Sequence, residues 1–454
     1  MKKLIIPILM AVLMSSCDKE FLEKKPDLSL MVPAKTFELQ ALLDNDAKMN
    51  VAPAIGEIAS DDFYTTGPGL QTLSLSEERN SYLWMKDVFE TESVADWNVP
   101  YVQVFYSNVV LDGLDALKDS KAEELNTIRG HALFCRALAF YNLAQLFCAP
   151  YNEADAARLP GIPLKLSPNI HEKYSRGSVK QVYEQIIMDL GNSVDLLPLQ
   201  AKLKTRPSKA AALALLARVY LSMEKYEEAE KSAVAALQLQ SGLIDFNTLS
   251  SAITRPLPAV LPYGNEEVLY YNYFQSYRFL SFIQTQTRVD SSLYASMPAN
   301  DLRKAVLFNN RGAGVVNFKS GFTGSTNVFA GLAVNELYLI RAECRARKGD
   351  RAGAMSDLNA LLIKRWKKGT FVPLTAGNDE AALRLVLQER RKELFGRGQR
   401  WEDLRRLNKD PRFAVTLTRN IDGTVYSLAP QDKRYIFPIP LNEIKSSGIA
   451  QNER

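Results

Sequence analysis

Few residues in this 454-residue chain have the types and spacing that catalysis requires. The adjacent Asp61 and Asp62 are of the type that glycoside hydrolysis uses, but neighbouring side chains need not converge on one bond. The two histidines, His131 and His171, stand near no nucleophile pattern, and the sequence has no glycine-rich phosphate loop or metal-ligand spacing. We therefore expect a protein without catalytic activity, cofactor or metal site. We interpret Asp61 and Asp62 as residues that cap a loop or form hydrogen bonds to a ligand.

The N-terminus carries the pattern of an export signal. Two lysines precede an apolar run over residues 4–14, and two serines and Cys17 follow it. A run of this length is too short to span a bilayer as a helix, so residues 1–16 are predicted to be a signal peptide. A cysteine directly after small residues resembles a bacterial lipoprotein box, although Met14 stands where leucine is usual. Cys17 would then be lipid-modified; a plain secretory signal is the alternative.

The charge distribution does not favour a nucleic-acid partner. The 56 basic and 51 acidic residues leave a net charge of only +5, which argues for nucleic acid only if it is clustered. An arginine-rich run over residues 388–407 invites that hypothesis, but acidic residues interleave with it at helical spacing. We interpret the run as a salt-bridged helix with Trp401 in the core.

Three cysteines remain after Cys17, namely Cys135, Cys148 and Cys344. An odd number cannot all pair within one exported chain. Since Cys135 and Cys344 stand among alanines and leucines in helical patterns, we expect small buried thiols. A disulfide between Cys135 and Cys148 is the alternative.

The clearest structural pattern is a repeated helix pair. Residues 207–239 place alanines and large apolar residues at helical spacing on either side of a turn at Glu224-Lys225. Residues 332–364 repeat the pattern, with two alanines twelve residues apart in each copy. Both copies resemble a tetratricopeptide repeat, a 34-residue pair of helices. One pair cannot bury both of its faces, so we expect it to pack on other helices.

The rest of the chain predicts more helices and one different region. Further helices are predicted over residues 35–47, 96–117, 122–147, 179–197 and 379–407. Over residues 241–330 the helical periodicity fades, glycine, proline and tyrosine accumulate, and residues 267–274 favour a strand. We interpret this region as a loop-rich insertion, where binding surfaces tend to lie. The predicted fold is mainly α, a tetratricopeptide-like scaffold with a loop-rich, partly β insertion. Its predicted divisions are a signal peptide (1–16), a lipidated tether (17–33) and one domain (34–454).

Seven separated stretches, in order, share a family pattern. They are Cys17–Leu22 with Pro26, Trp97-x3-Tyr101-x6-Asn108, Arg136–Phe147, Arg206–Tyr220, Glu336–Glu343, Glu389–Arg406, and Phe437–Ile444 with Gln451-Asn452. Together they cover nearly the whole chain and resemble the SusD/RagB family of outer-membrane nutrient-binding lipoproteins of the Bacteroidetes type. One departure is Arg397, which stands where the family pattern has glutamate.

The resemblance implies a function in nutrient uptake. Such proteins are helical, lie on the outer leaflet of the outer membrane, and cap a SusC-like TonB-dependent transporter to which they deliver an oligosaccharide or another nutrient. The acidic Asp18 and Glu20 after Cys17 resemble a surface-export signal. We therefore expect a lipid-anchored protein facing the extracellular side, without catalytic activity. The alternative is a periplasmic tetratricopeptide-type adaptor that binds protein partners.

The binding mechanism that the family implies is an aromatic platform. Sugar C–H faces pack on aromatic rings, while hydroxyl groups need polar partners in the same pocket. Each candidate aromatic can equally be a core residue, and a strand over residues 270–274 would bury alternate rings. The predicted ligand-binding residues are Asp62, Tyr64, Trp84, Trp97, Asn98, Tyr101, Tyr271, Tyr273, Tyr277 and Arg288.

Overall fold

The structure, a computed structural model, describes residues 35–117, 122–261, 264–282 and 284–454. The predicted signal peptide, Cys17 and the predicted tether over residues 17–33 lie outside the described residues. The helices are α1 (Thr36–Leu43), α2 (Asp46–Met49), α3 (Ile55–Ala59), α4 (Gly67–Gln71), α5 (Ser76–Tyr82), α6 (Ala95–Ala116), α7 (Ala122–Phe147), α8 (Val179–Leu196), α9 (Lys209–Ser222), α10 (Tyr226–Leu239), α11 (Ser291–Ala295), α12 (Arg303–Leu307), α13 (Val334–Arg347), α14 (Arg351–Leu362), α15 (Asp379–Glu393), α16 (Gln399–Leu407) and α17 (Leu441–Ser447).

The strands are short and form two-stranded pairs. They are β1 (Val51–Ala52), β2 (Phe63–Tyr64), β3 (Pro160–Pro163), β4 (Arg176–Ser178), β5 (Val268–Tyr270), β6 (Tyr273–Phe274), β7 (Arg288–Val289), β8 (Phe308–Asn310), β9 (Val316–Phe318), β10 (Leu332–Ala333), β11 (Leu417–Ile421) and β12 (Thr424–Leu428). Strand β1 pairs in parallel with β6, and the other pairs, all antiparallel, are β2–β7, β3–β4, β5–β10, β8–β9 and β11–β12. The mainly helical fold class predicted from the sequence is therefore confirmed.

The two predicted helix pairs are present as α9–α10 and α13–α14. The Ser208 hydroxyl accepts a hydrogen bond from the backbone amide of Ala211 and so caps α9. Ala217 of α9 and Ala229 of α10 have no exposed surface, because the small side chains allow the two helices to approach closely. These alanines set the distance between the helices.

The two pairs, far apart in sequence, are neighbours in space. Helix α10 packs against α13. The carboxylate of Glu230 on α10 contacts Arg345 of α13 at 3.2 Å and Lys348, directly after α13, at 2.5 Å. On the other side, α9 packs on α8, α8 on α7, and α7 on α6. The scaffold is therefore one continuous stack of helices, and the insertion does not interrupt it.

Two predicted helices are each divided. The predicted helix over residues 379–407 breaks between α15 and α16, where Gly396 and Gly398 have φ of 68° and 80°. This left-handed conformation favours glycine and ends the helix. The predicted helix over residues 35–47 likewise becomes α1 and the short α2. In both places the sequence correctly predicted helical residues, but the prediction of one continuous helix was wrong.

Residues 241–330 hold only short elements, and several of them pair with strands outside the region. Strand β6 pairs with β1, β7 with β2, and β5 with β10. The predicted strand over residues 267–274 is divided into β5 and β6. The region is thus joined to the scaffold through backbone hydrogen bonds at three places.

The arginine-rich run is part of the core, as predicted. Trp401 is 1% exposed, and the arginines form ion pairs. Arg406 donates to Glu343 of α13 at 2.6 and 2.8 Å, and Arg390 donates to Asp403 at 2.8 Å. Most partners come from other elements rather than from the same helix, which differs from the spacing argument. Ion pairs of this kind join α15 and α16 to the scaffold.

Cys135, Cys148 and Cys344 are buried free thiols, and the alternative disulfide is not formed. His131 is buried in α7. Among the described residues, no helix combines the length and the apolar character needed to cross a membrane. Nor does that part of the chain group three or more His, Cys, Asp or Glu side chains in a way that could hold a metal ion.

Candidate functional site

The strand pair β2–β7 brings two of the predicted ligand-binding residues together. Tyr64 lies directly opposite Arg288 in the antiparallel register, and Phe63 lies opposite Val289. Successive side chains of a strand point to opposite faces. Phe63 and Val289 are accordingly buried, while Tyr64 and Arg288 are partly exposed. The Arg288 guanidinium lies 6.0 Å from the centre of the Tyr64 ring. We call these two residues the Tyr64–Arg288 surface.

A cluster of buried aromatic rings holds this surface in place. The Phe63 ring lies 4.7 Å from that of Phe395, 6.0 Å from that of Phe318 and 6.3 Å from that of Phe279, measured between centroids. Three separate parts of the chain contribute these neighbours. Because such rings pack at specific angles and distances, the backbone of Tyr64 is fixed from below.

The acidic pair next to Tyr64 is held by two arginines. Arg400 donates to both carboxylate oxygens of Asp61, at 2.6 and 2.9 Å. Arg391 donates to the carboxylate of Asp62 at 3.0 Å and to the backbone oxygen of Asp61 at 2.9 Å. These contacts clamp the start of β2 to α15 and α16.

The two acids differ in their titration because their surroundings differ. Burial acts to raise the pKa of Asp61, but the charge of Arg400 outweighs it and the pKa lies well below its usual value. Burial dominates for Asp62, whose pKa rises to about 6 although Arg391 opposes the shift. Asp62 is 1% exposed. Each carboxylate is engaged by its own arginine, so the pair is structural here rather than a pair of catalytic acids.

A second aromatic pair is formed by Tyr271 and Tyr273. Their ring centroids lie 5.7 Å apart at an interplanar angle of 44°. The Tyr271 hydroxyl accepts a hydrogen bond from Asn327 at 3.2 Å. Tyr271 is 4% exposed, whereas Tyr273 is partly exposed. Only one of the two rings therefore offers a face to solvent. Strand alternation does not explain this difference, because residues two apart share a face of a strand and Tyr271 precedes β6.

Three of the predicted aromatics lie in the core. Trp84 is 2% exposed and donates its indole N–H to the backbone oxygen of Ala59 at 2.9 Å. Trp97 is 1% exposed and its ring packs edge-on against Phe147. Tyr277 is 5% exposed and donates to the buried carboxylate of Asp96 at 2.5 Å. Their polar atoms have partners within the chain, and their rings are packed on all sides.

Asn98 and Tyr101 lie on α6, separate from the Tyr64–Arg288 surface. The Asn98 amide donates to the Ser93 hydroxyl at 2.8 Å, which places it at the start of the helix. The Tyr101 hydroxyl donates to the backbone oxygen of Pro163 at 2.9 Å, and the Lys165 ammonium lies 4.7 Å from its ring centre. The structure thus groups Tyr64 with Arg288 and Tyr271 with Tyr273. It also brings together the rings of Trp97 and Tyr101, whose centroids lie 4.9 Å apart.

Sequence reasoning missed the residues that position the surface. Arg391 and Arg400 belong to the arginine-rich run, more than 300 residues from their partners Asp61 and Asp62. Neither spacing nor periodicity connects residues at such a separation. One feature of the sequence does point to distant partners. The arginine-rich run has more arginines than acidic residues, so some of its arginines need carboxylates from other parts of the chain.

Two family models match the chain. A model described as "Starch-binding associating with outer membrane" matches residues 20–221, and a model described as "SusD family" matches residues 319–453. The chain belongs to the SusD/RagB family. This confirms the resemblance carried by the seven stretches of sequence.

Individual relatives agree with this family. A "SusD-like protein P2" of Formosa agariphila is 30% identical over 143 residues, which are 31% of this chain and 26% of that protein. The alignment thus spans about a quarter of the length of this relative. A SusD superfamily protein of Bacteroides thetaiotaomicron has a similar crystal structure, with a TM-score of 0.74 and 22% identity over 92% of this chain and 100% of that chain. For a SusD-like carbohydrate binding protein of Bacteroides vulgatus the TM-score is 0.67 and the identity 19%, over 92% of this chain and 97% of that chain. These structures show that this SusD-family chain has the SusD fold.

Proposed function

We propose that this chain is a lipoprotein of the cell surface, anchored in the outer membrane through Cys17. It binds an oligosaccharide or another nutrient without turnover and delivers it to a SusC-like TonB-dependent transporter. The observation that carries the proposal is the Tyr64–Arg288 surface on a SusD-family scaffold. The family models and the sugar-binding description of a structural relative support the ligand class.

The chemistry of the Tyr64–Arg288 surface suits a sugar. A phenol ring offers an apolar face for the C–H groups of a pyranose. Apart from the ring of Tyr64, the Arg288 side chain has no hydrogen-bond or ion-pair partner among the described residues. Its Nε is buried without a hydrogen-bond partner, so the terminal N–H groups of the guanidinium are the ones that can donate to hydroxyl oxygens beside the ring. Because the strand pair is fixed by buried packing, little order is lost on binding.

Calorimetric titration after a screen of oligosaccharides tests the binding step. We expect Tyr64→Ala to weaken binding roughly tenfold, since the stacking surface is removed. Tyr64→Phe keeps the ring and is expected to bind within about twofold of the wild type. Tyr273→Ala is the matched control at the second aromatic pair. Unchanged affinity in Tyr64→Ala together with a loss in Tyr273→Ala would move the site to the Tyr271–Tyr273 pair.

Location and delivery need separate experiments. Palmitate labelling should be lost in Cys17→Ala, and protease added to intact cells should digest the wild-type chain. Capture with a tagged chain should recover a SusC-like transporter. A chain that is fully protected from external protease and recovers other envelope proteins would instead favour the periplasmic adaptor.

A further inference from the structure

A second arginine, Arg311, is held beside the segment that leads into Arg288. Its Nε donates to the amide oxygen of Asn317 at 2.6 Å. The amide nitrogen of Asn317 donates in turn to the backbone oxygens of Thr285 and Thr287, at 3.0 and 2.7 Å. Asn317 is 4% exposed, whereas Arg311 is an exposed residue. A buried amide therefore links Arg311 to the chain next to Arg288.

This segment lies between β2 and Asn317. The backbone oxygen of Gln286 accepts from the hydroxyl of Thr65, directly after β2, at 3.0 Å. The backbone oxygens of the residues before and after Gln286 accept from Asn317 instead. The segment is therefore fixed from two sides, with Tyr64 on one side and Arg311 on the other.

Arg311 begins a loop of defined shape between β8 and β9. Its backbone amide donates to the oxygen of Val315 at 2.9 Å, and the amide of Val315 donates to the oxygen of Gly312 at 2.9 Å. Gly312, Ala313 and Gly314 have φ of 84°, 49° and 77°. A left-handed alanine is costly and persists only where the surrounding structure imposes it. The position from which the Arg311 side chain starts is therefore fixed.

The two strand pairs that carry these arginines stand on one aromatic cluster. Phe308 of β8 and Phe318 of β9 lie opposite each other and are buried. Their ring centroids lie 5.0 and 5.2 Å from that of Phe395, and the Phe63 centroid lies 4.7 Å from the same ring. The Arg311 loop and the Tyr64–Arg288 surface therefore share a rigid base.

The basic side chains of the insertion, residues 241–330, mostly lack ion-pair partners. Among the described residues of this region, Arg303 is the basic residue that forms ion pairs. Those without a carboxylate partner are Arg255, Arg278, Arg288, Lys304, Arg311 and Lys319. The acids of the region are mostly paired, in Asp245–Lys364, Glu267–Arg365, Asp290–Arg391 and Asp301–Arg303. The insertion therefore carries positive charge that its own acids do not neutralise.

The acid nearest in sequence to Arg288 is engaged elsewhere. The Asp290 carboxylate accepts from the Leu293 amide at 2.8 Å and from the Ser292 hydroxyl at 2.5 Å, and so caps α11. Its ion-pair partner is Arg391 at 3.7 Å. This carboxylate therefore leaves the terminal N–H groups of Arg288 to a ligand.

Charge rather than the number of hydrogen bonds distinguishes between ligands here. The Nε of Arg311 is occupied by Asn317, so the terminal N–H groups are the ones that a ligand can reach. Such paired N–H groups match two oxygens of a carboxylate or a sulfate. A neutral sugar gains only hydrogen bonds to its hydroxyl groups, whereas an acidic sugar is also attracted by the uncompensated positive charge.

We propose that the Tyr64–Arg288 surface binds an acidic oligosaccharide and that Arg311 determines this specificity. One sugar unit stacks on Tyr64, and the carboxylate or sulfate of a further unit accepts from the terminal N–H groups of Arg311. A neutral chain of the same length lacks this second contact. The inference rests on the proposed function and names the class of its substrate.

Calorimetric titration with two matched pairs of probes tests the proposal at pH 7. One pair is galacturonic acid oligomers and their methyl esters, and the other is sulfated galactose oligomers and their desulfated forms. We expect the acidic member of one pair to bind the wild type about tenfold more tightly than its neutral partner. The pair that shows the difference identifies the carboxylate or the sulfate as the acidic group.

Arg311→Gln should remove this preference. We expect it to weaken binding of the acidic chain about tenfold, to leave the neutral chain within about twofold, and to reduce the salt dependence of binding. The Tm should stay unchanged, because the side chain is exposed. Arg351→Gln is the matched control, since it removes an exposed arginine of the scaffold that donates to a backbone oxygen and has no carboxylate partner among the described residues.

The failure of this inference can be told apart from the failure of the proposed function. Equal affinity for acidic and neutral chains in both pairs, or equal losses in Arg311→Gln and Arg351→Gln, would overturn the inference. If Tyr64→Ala still weakens binding in that case, the proposed function stands. Binding of the acidic chain that Arg311→Gln weakens and Tyr64→Ala leaves unchanged would overturn both, because the site would then lie away from Tyr64.

Discussion

Replacement of His131 by leucine should change how the stability of the protein depends on pH. His131 is 2% exposed within α7, and its Nδ1 lies 3.2 Å from the Gln40 amide nitrogen of α1. The same amide donates to Asp44, which is held by Arg206 at 2.6 and 2.8 Å. Burial dominates and lowers the pKa of His131 to about 3, although Asp44 opposes the shift. Folding therefore keeps this histidine neutral.

The magnitude follows from the two pKa values. The unfolded chain takes up a proton at a pKa of about 6.5, and the folded chain takes it up only at about 3. The unfolded state thus binds more protons between these values, so stability is complete above about pH 6.5 and is lost as the pH falls toward 3. At pH 4.5 the loss relative to pH 8 is roughly 2 to 3 kcal/mol. For a chain of this size that corresponds to roughly 3 °C in Tm.

Urea unfolding at several pH values measures the effect. The difference in unfolding free energy between wild type and His131→Leu should shrink or reverse by that amount from pH 8 to pH 4.5. Buried acids such as Glu402 titrate in both proteins and cancel in the difference. His171→Leu, which removes the exposed second histidine, is the control and should follow the wild type. Parallel pH profiles for wild type and His131→Leu would refute the reasoning.

Three further substitutions test the scaffold by urea unfolding. Arg365→Met removes the ion-pair partner of the buried Glu267, bound at 2.8 Å, and one partner of the buried Glu393, which keeps Arg303 and Asn335 at 3.3 and 2.7 Å. We expect the unfolding free energy to fall by roughly 3–5 kcal/mol, and a loss below about 1 kcal/mol would contradict this. Ala217→Trp forces α9 away from α10 and should cost about 3 kcal/mol or more; loss of ligand binding at unchanged stability would show that the residue belongs to a site instead. Ser178→Ala removes the cap that accepts from the Gln181 amide at 3.2 Å and should cost about 1 kcal/mol, whereas Ser178→Thr keeps the cap and should cost less.

The helices were largely predictable because their signals are local. The periodicity over residues 122–147 predicted both ends of α7. The break between α15 and α16 was not predicted, because arginine and glutamate favour a helix on either side of it. The helix ends there because Gly396 and Gly398 adopt the left-handed conformation, and the backbone conformation of a glycine cannot be read from the sequence. The packing of α10 on α13 was not predicted either, because helical periodicity shows which face of a helix is buried but not which other helix covers it.

The candidate site was less predictable, for a physical reason. The sequence around an aromatic residue near a loop looks the same whether its ring is packed or exposed. The buried Trp84 and the partly exposed Tyr64 could therefore not be distinguished from the sequence. Burial depends on which distant segment covers the ring. Tyr64 is left partly open because β7 pairs with β2 at a register that turns Arg288 to the same face. That register is set by tertiary contacts.

The direct packing of α10 on α13 bears on how this protein could acquire new ligands. Since the insertion leaves the stack after Leu239 and returns at Val334, its ends are fixed by the scaffold, and doubling its length costs only about 0.6 kcal/mol in chain entropy. The insertion can therefore vary in length between its points of attachment, which are the pairings of β5, β6 and β7 with β10, β1 and β2. A further constraint is Glu267, which supplies the buried carboxylate that binds Arg365 of the scaffold. Any replacement segment must bring an acid to that position, or the scaffold must give up its arginine at the same time.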